Sequence, residues 1–262
     1  VERVEVVKGP NSVIYGQITP GGIINIVTKS PLAEPRTVLF GSISTFSGSS
    51  SDFGSAISYS ASVDATGPIS RDKRWRYRLI ATVDDLSSFR DHISDHNVYI
   101  SPSLAYMWDE ENFIRIKANY TKIDRNHDGG LVAPFNNVAF LAPYNTNYQG
   151  KISENPELNE SVSVEVQRRL GQEWVARASY RSVWHTDNRH SINNNAVQSI
   201  LPVSASTMTR RLQHTENLRR YNFLDLTAYR DFGTGPVQHR LLLGGMVGVD
   251  WNEIRNFSLL PN

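Results

Sequence analysis

The chain has no cysteine, which excludes disulfides, thiolate nucleophiles and thiolate zinc sites. Nor does it have an excess of charge. Its 27 basic and 26 acidic residues leave a net charge of +1, so nothing points to a nucleic-acid partner. No window approaches the roughly 18 consecutive apolar residues of a transmembrane helix. That does not exclude a spanning β-barrel, whose strands face lipid with only every second residue. Signatures of catalysis are lacking too. There is no Gly-x-Ser-x-Gly elbow and no His-Glu-x-x-His, and Lys8 precedes its glycine, whereas a phosphate loop needs Gly-Lys-Ser/Thr opening a helix. No enzyme is expected. The 262 residues open at Val1 in mid-pattern, without an initiator Met or a signal-like region, so the expectation is a piece of something longer.

What the sequence does have is alternation with a period of two. In 55–66, Ile57, Tyr59, Ala61, Val63 and Ala65 are apolar, and Ser58, Ser60, Ser62 and Asp64 lie between them. In 74–84, Trp75, Tyr77, Leu79, Ala81 and Val83 oppose Arg74, Arg76, Arg78, Thr82 and Asp84. In 174–185, Trp174, Ala176, Ala178, Tyr180 and Trp184 oppose Arg177, Ser179, Arg181 and His185. Such runs are strand signatures. About nine are legible, at 36–47, 54–66, 74–84, 97–108, 113–123, 160–170, 174–185, 217–231 and 237–251. Most are about 10–14 residues long, against about five or six in soluble sheets, and a tilted strand crossing a bilayer needs about 9–11.

Connection length gives an independent signal. Short turns at 67–73, 109–112, 171–173 and 233–236 alternate with longer loops at 85–96, 124–159 and 186–216; the connection at 48–53 is a short exception. Short turns at one rim and long loops at the other describe an outer-membrane barrel with its turns in the periplasm. Trp75, Tyr77, Tyr106, Trp108 and Trp174 all fall beside short turns, as an interfacial girdle requires; the alternative is the aromatic core of a soluble β protein. The opposite face carries Arg74, Arg76, Arg78, Arg115, Lys117, Arg177 and Arg181, which no dry core would tolerate, so it lines water or a polar filling.

The opening stretch, VERVEVVKGPNSVIYGQITPGGIINIVTKSP, resembles the closing segment of the plug domain of TonB-dependent outer-membrane receptors, especially the ferric-siderophore group. Further on, DATGPI, RYRLIATVDD, SFRD, ISPSLAYMW and QHRLLLGGMVGVDW resemble the same receptors' early barrel strands. The resemblance implies an all-β fold: the C-terminal part of a plug over 1–33, then, over 34–262, about nine of the roughly 22 strands of a transmembrane antiparallel barrel. It implies a receptor in the outer membrane of a Gram-negative bacterium that imports a ferric siderophore with energy passed on by TonB. TonB would act through an N-terminal box that this stretch lacks. Iron would arrive inside its chelator, with no cofactor or metal held by the protein itself. Outer-membrane lipid is the remaining partner. The alternatives are TonB-dependent uptake of another cargo, such as cobalamin or a glycan, and a passive porin or adhesin barrel. Against the porin stands the glycine-rich segment ahead of the first strand, where Gly9, Gly16, Gly21 and Gly22 suit tight backbone reversals.

By the same resemblance, Tyr15 and Gln17 sit on a plug turn that rises toward the external cavity, while Arg125, Phe135 and Tyr144 belong to an overhanging barrel loop; these five are the candidate cargo contacts. The alternative for Tyr15 is simple packing within the plug. Gly129, Gly130 and Leu131 stand where related hydroxamate receptors often carry aromatics, which leaves the ligand class open. Glu2, Arg3 and Glu5 of the plug strand, with inward Arg76 and Arg78, are the expected polar plug–barrel contact. Asp91, His92, Asp95 and His96 have a spacing that would suit a metal only on a helix, and a solvated loop is the better reading; His127, His185 and His190 read as solvated or lumen residues.

Overall fold

The computed structural model describes residues 1–7, 23–46, 56–131, 143–151, 154–171, 173–194 and 210–259. Among them are eleven strands and no helix. β1 (Arg3–Val7) and β2 (Ile23–Val27) pair antiparallel as a sheet of their own. The remainder form one nine-stranded sheet in sequence order: β3 (Arg36–Thr45), β4 (Ile57–Pro68), β5 (Trp75–Ser87), β6 (Ser94–Met107), β7 (Phe113–Asn126), β8 (Glu154–Leu170), β9 (Trp174–Asn194), β10 (Arg210–Thr234) and β11 (Val237–Leu259). Every pairing is antiparallel between chain neighbours, the pattern that short turns dictate. Those turns have local causes. Asp109 Oδ1 accepts the main-chain N–H of Glu111 and of Asn112, closing 109–112, and Gly171 and Gly235 take the left-handed φ of 66° and 61° that a tight reversal needs.

The sheet is polar where a soluble protein is apolar. Among the described residues the buried hydrophobic side chains are Ala105, Phe113 and Val175, against twelve polar or charged ones, among them Arg78, Ser101, Ser103, Lys117 and Ser161. Most of the exposed apolar residues lie on the other face, where Val83, Leu243 and Val247 are 49%, 54% and 63% exposed. That inversion suits a wall with lipid outside and water or polar protein inside. The outer face is edged by rings at the turn rim, where Trp75 meets Tyr106 at 4.9 Å, Tyr106 meets Trp108 at 4.9 Å and Arg168 lies 4.7 Å over Trp108. Nearer the loops come Tyr59, Trp184, and Trp251 beneath Arg220 at 5.5 Å. Trp174 and Trp184 are ten steps apart on β9, and at about 3.3 Å per residue and about 40° of tilt the band between them is about 25 Å tall, the height of an outer-membrane barrel's apolar belt.

All nine expected strands are present, but several outer ends extend further than the apolar alternation implies. β9 continues to Asn194 rather than stopping near 185, β10 begins at Arg210 rather than 217, β11 reaches Leu259, and β8 begins at Glu154 rather than 160. The loop expected over 85–96 shrinks to 88–93. Beyond the lipid belt both faces meet water, so apolar alternation ceases while backbone pairing persists, as at Gln213 opposite Ser191. A hydrophobic pattern cannot register pairing of that kind.

Candidate binding site at the loop rim

Inward-facing residues near the loop ends of β6 to β9 enclose a cavity of about 450 Å³. Strand parity puts Asp95, Arg125, Glu157, Asp187 and Arg189 in it, with His127 just past the end of β7. The charges are arranged in pairs. Arg125 Nη2 donates to Glu157 Oε2 at 2.7 Å, and Arg189 Nη2 donates to Asp187 Oδ2 at 3.3 Å. Burial pushes the Glu157 carboxyl up, but hydrogen bonds from Asn159 and Arg125 outweigh it and hold the group below its ordinary value. Burial lifts the Asp95 carboxyl against the pull of Arg125 and His96, and burial lowers the His127 imidazole with help from Arg189. The wall therefore offers both signs of charge at fixed positions. It can orient a polar, multiply hydrogen-bonding ligand without attracting one net charge.

A second group caps this rim. Phe46, Phe89 and Tyr144 form a chain of rings with centroids 5.6 and 5.9 Å apart, bringing three connections together. Arg90 holds them in place: its Nε lies 3.0 Å from Asp128 Oδ2 and its guanidinium 5.4 Å from the Phe89 ring. The main-chain N–H of Asp91 donates to the carbonyl of Asn145 at 2.8 Å. Each of the three rings is more than 40% exposed, enough to meet a ligand's flat face.

Of the five candidate cargo contacts, Arg125 lines the cavity and Tyr144 belongs to the ring cluster, linked to it through Asp128 and Arg90 rather than by direct contact. Tyr15, Gln17 and Phe135 lie outside the described residues. Among the candidate plug–barrel residues, Arg78 reaches the strap after β2, with Nη1 donating to the Ser30 carbonyl at 2.9 Å. Arg3 and Glu5 pair with each other at 2.6 Å, Glu5 accepts from Asn25 of β2, Glu2 is exposed, and Arg76 Nε donates to the Lys73 carbonyl. The strap has further anchors that no sequence pattern indicates: Lys29 to Asp64 at 2.6 Å, the Leu32 N–H to Thr66 Oγ1 at 2.9 Å, and Lys73 to Glu34 at 2.6 Å. Glu157, Asp187 and Arg189 carry no motif that singles them out, although continuing the inward parity of Arg177 and Arg181 past Trp184 reaches the last two.

His92 has a positive φ of 62°, His96 faces outward to Asp85 at 3.3 Å and Asp95 faces inward, so the Asp-His pattern does not converge. Among the described residues no group of three or more His, Asp or Glu could hold a metal ion.

A meander with one lipid-facing surface, an aromatic rim and a polar inner wall defines a stretch of outer-membrane β-barrel. No family model matches the chain. Over 248 residues, 93% of its length, it is 29% identical to the metal-pseudopaline receptor CntO of Pseudomonas aeruginosa, of which the match covers 32%. It is 25% identical over 278 residues, 98% of the chain and 35% of the relative, to the ferrichrome outer membrane transporter/phage receptor of Escherichia coli. The crystal structure of the ferripyoverdine receptor of the outer membrane of Pseudomonas aeruginosa superposes with a TM-score of 0.82 at 18% identity, covering 97% of this chain and 33% of that one. The chain is thus similar over nearly its whole length to outer-membrane receptors and transporters, and it has the fold of part of their barrel. It spans about a third of the length of the curated relatives it matches.

Proposed function

We propose that the chain is the plug-closing and early-barrel part of a receptor that captures a ferric siderophore or a closely similar metal chelate at its outer mouth and imports it with energy supplied through TonB. On this reading 1–33 belong to the plug and 34–262 to the barrel, and the metal enters only inside its chelator, with none resident in the protein. The observation that carries the proposal is the cavity of about 450 Å³ lined by fixed charges of both signs, beside a platform of exposed rings, on a chain similar over 93% of its length to a metal-chelate receptor. Chelates of this kind present many oxygen acceptors and flat groups to such donors and rings. A cargo of a metal other than iron is a specific second reading, favoured by the name of the relative at 29% identity.

The test is equilibrium binding of ferrichrome, ferrioxamine B, ferripyoverdine and a zinc or nickel chelate to the full-length receptor, read by quenching of tryptophan fluorescence. At least one metal chelate should bind, and Arg125→Ala should weaken it by about ten-fold, because Glu157 is left without its cation. Binding of cobalamin or a glycan, with no metal chelate bound, would overturn the proposal.

A further inference from the structure

The inner wall contains a row that its own acids do not neutralise. Register sets Arg78 opposite Ser103, Ser103 opposite Lys117, Lys117 opposite Ser163, and Ser163 opposite Arg181. A cation therefore stands on every second strand of one row, with serines between, and neighbouring cations are about 10 Å apart along it. Arg78 is fully engaged, gripping Asp64 and the Ser30 carbonyl. Arg115, two residues before Lys117 on the same face, shares Glu165 with Arg177, yet its Nε is buried without a hydrogen-bond partner.

Lys117 is the anomaly. It is only 9% exposed, and among the described residues its ammonium has neither a carboxylate within ion-pair distance nor a hydrogen bond. Among the described residues Arg181 likewise has no ion pair, although Asp225 lies one row nearer the turns, opposite Ser179. Burying an ammonium among like charges is costly unless an anion joins it. At the loop rim, by contrast, Arg125 and Arg189 each have their carboxylate. Lys117 and Arg181 thus stand as unpaired cations on the lumen wall below the candidate cargo cavity.

We propose that Lys117 Nζ and the Arg181 guanidinium form an anion site on the lumen wall that takes a carboxylate. The Ser163 hydroxyl lies in register between the two cations. A carboxylate suits this set because its two oxygens can accept from an ammonium and a guanidinium at once. It reaches the wall either on the surface of the plug or on a cargo crossing the lumen. The site rests on the barrel fold and not on the identity of the cargo.

The experiment uses the full-length receptor in lipid vesicles, with citrate as the probe, and compares wild type, Lys117→Gln, Arg181→Gln, the double variant, and Lys122→Gln on the opposite face as a control. Arg181 is exposed, so its variant tests the site even if Lys117→Gln folds poorly. If the carboxylate is a cargo's, citrate binds the wild type and the double variant loses about ten-fold or more in affinity, with Lys122→Gln unchanged. If it is the plug's, wild type takes up no citrate at the wall, and the double variant opens to ion conductance at a lower urea concentration than the control. Equal citrate binding by wild type and double variant, or no citrate binding together with unchanged urea-induced conductance, overturns the proposal.

Discussion

Arg78 on β5 grips Asp64 on β4 with two nitrogens, Nε to Oδ1 at 2.7 Å and Nη2 to Oδ2 at 2.6 Å, and its remaining nitrogen, Nη1, donates to the carbonyl of Ser30. Lys29 reaches the same carboxylate at 2.6 Å. A fork on the barrel wall thus holds the main chain of the strap that follows β2. The contact is polar throughout, so the strap is fastened without a greasy seal.

Replacing Arg78 by Ala should leave Asp64 with Lys29 alone. With Arg78 6% and Asp64 14% exposed, the loss should be about 3 kcal/mol, read by urea unfolding of the full-length receptor in vesicles. Arg78→Lys keeps the charge but not the fork and should fall between. Wild-type midpoints for both variants would mean that the contact contributes nothing.

The face assignment predicts opposite outcomes for adjacent residues. Leu79, 39% exposed on the outer face, should cost about 2–4 kcal/mol as Arg, because the cation is placed in lipid. Ile80 points to the polar wall, and Ile80→Arg should cost distinctly less in the same refolding titration. The reverse order would turn the sheet inside out.

Gly248 sits under the ring of Phe223, its register partner; a Cβ there would come within 2.4 Å of the ring. Gly248→Ala should therefore destabilise the β10–β11 ribbon by about 1–3 kcal/mol through overpacking, and Phe223→Ala in the same chain should remove most of that penalty. Additive losses in the double variant would show that the ring does not need the glycine.

His127 titrates against burial and against Arg189, with Asp128 opposing, so its folded imidazole lies below the ordinary 6.5. The unfolded segment then binds more protons than the folded one between the lowered value and 6.5, so the stability is intact above that window and is lost as pH falls through it. Amide exchange in 124–131 should quicken on going from pH 7 to pH 5 after correction for intrinsic rates, and His127→Gln should remove the excess. An excess that survives in His127→Gln would assign it to another group.

Much of this was legible in the sequence for a physical reason. A lipid belt forces strict apolar alternation, so Trp75–Val83 and Trp174–Trp184 announce both their strands and their outward face. Where the belt ends the constraint ends, which is why the polar pairing of β9 to β11 beyond Trp184 went unread. The site was legible only in part. Arg125 is named by resemblance as part of an overhanging loop, whereas it stands inside β7, where it continues the inward parity of Arg115 and Lys117. Its partner Glu157 enters from the outer end of β8, which runs on past the point where apolar alternation stops. The strap's fastening through Lys29, Asp64 and Thr66 depends on contacts about 35 residues apart in sequence, which no local pattern encodes.

The most direct measurement is uptake of iron-55 as ferrichrome, ferrioxamine B and ferripyoverdine, and of zinc-65 as a metallophore complex, by iron-limited cells with and without the full-length gene, each with TonB intact or deleted. Accumulation of at least one chelate should require both the gene and TonB. Uptake that persists without TonB, or cells that import none of these chelates but gain gene-dependent cobalamin or sugar uptake, would contradict it.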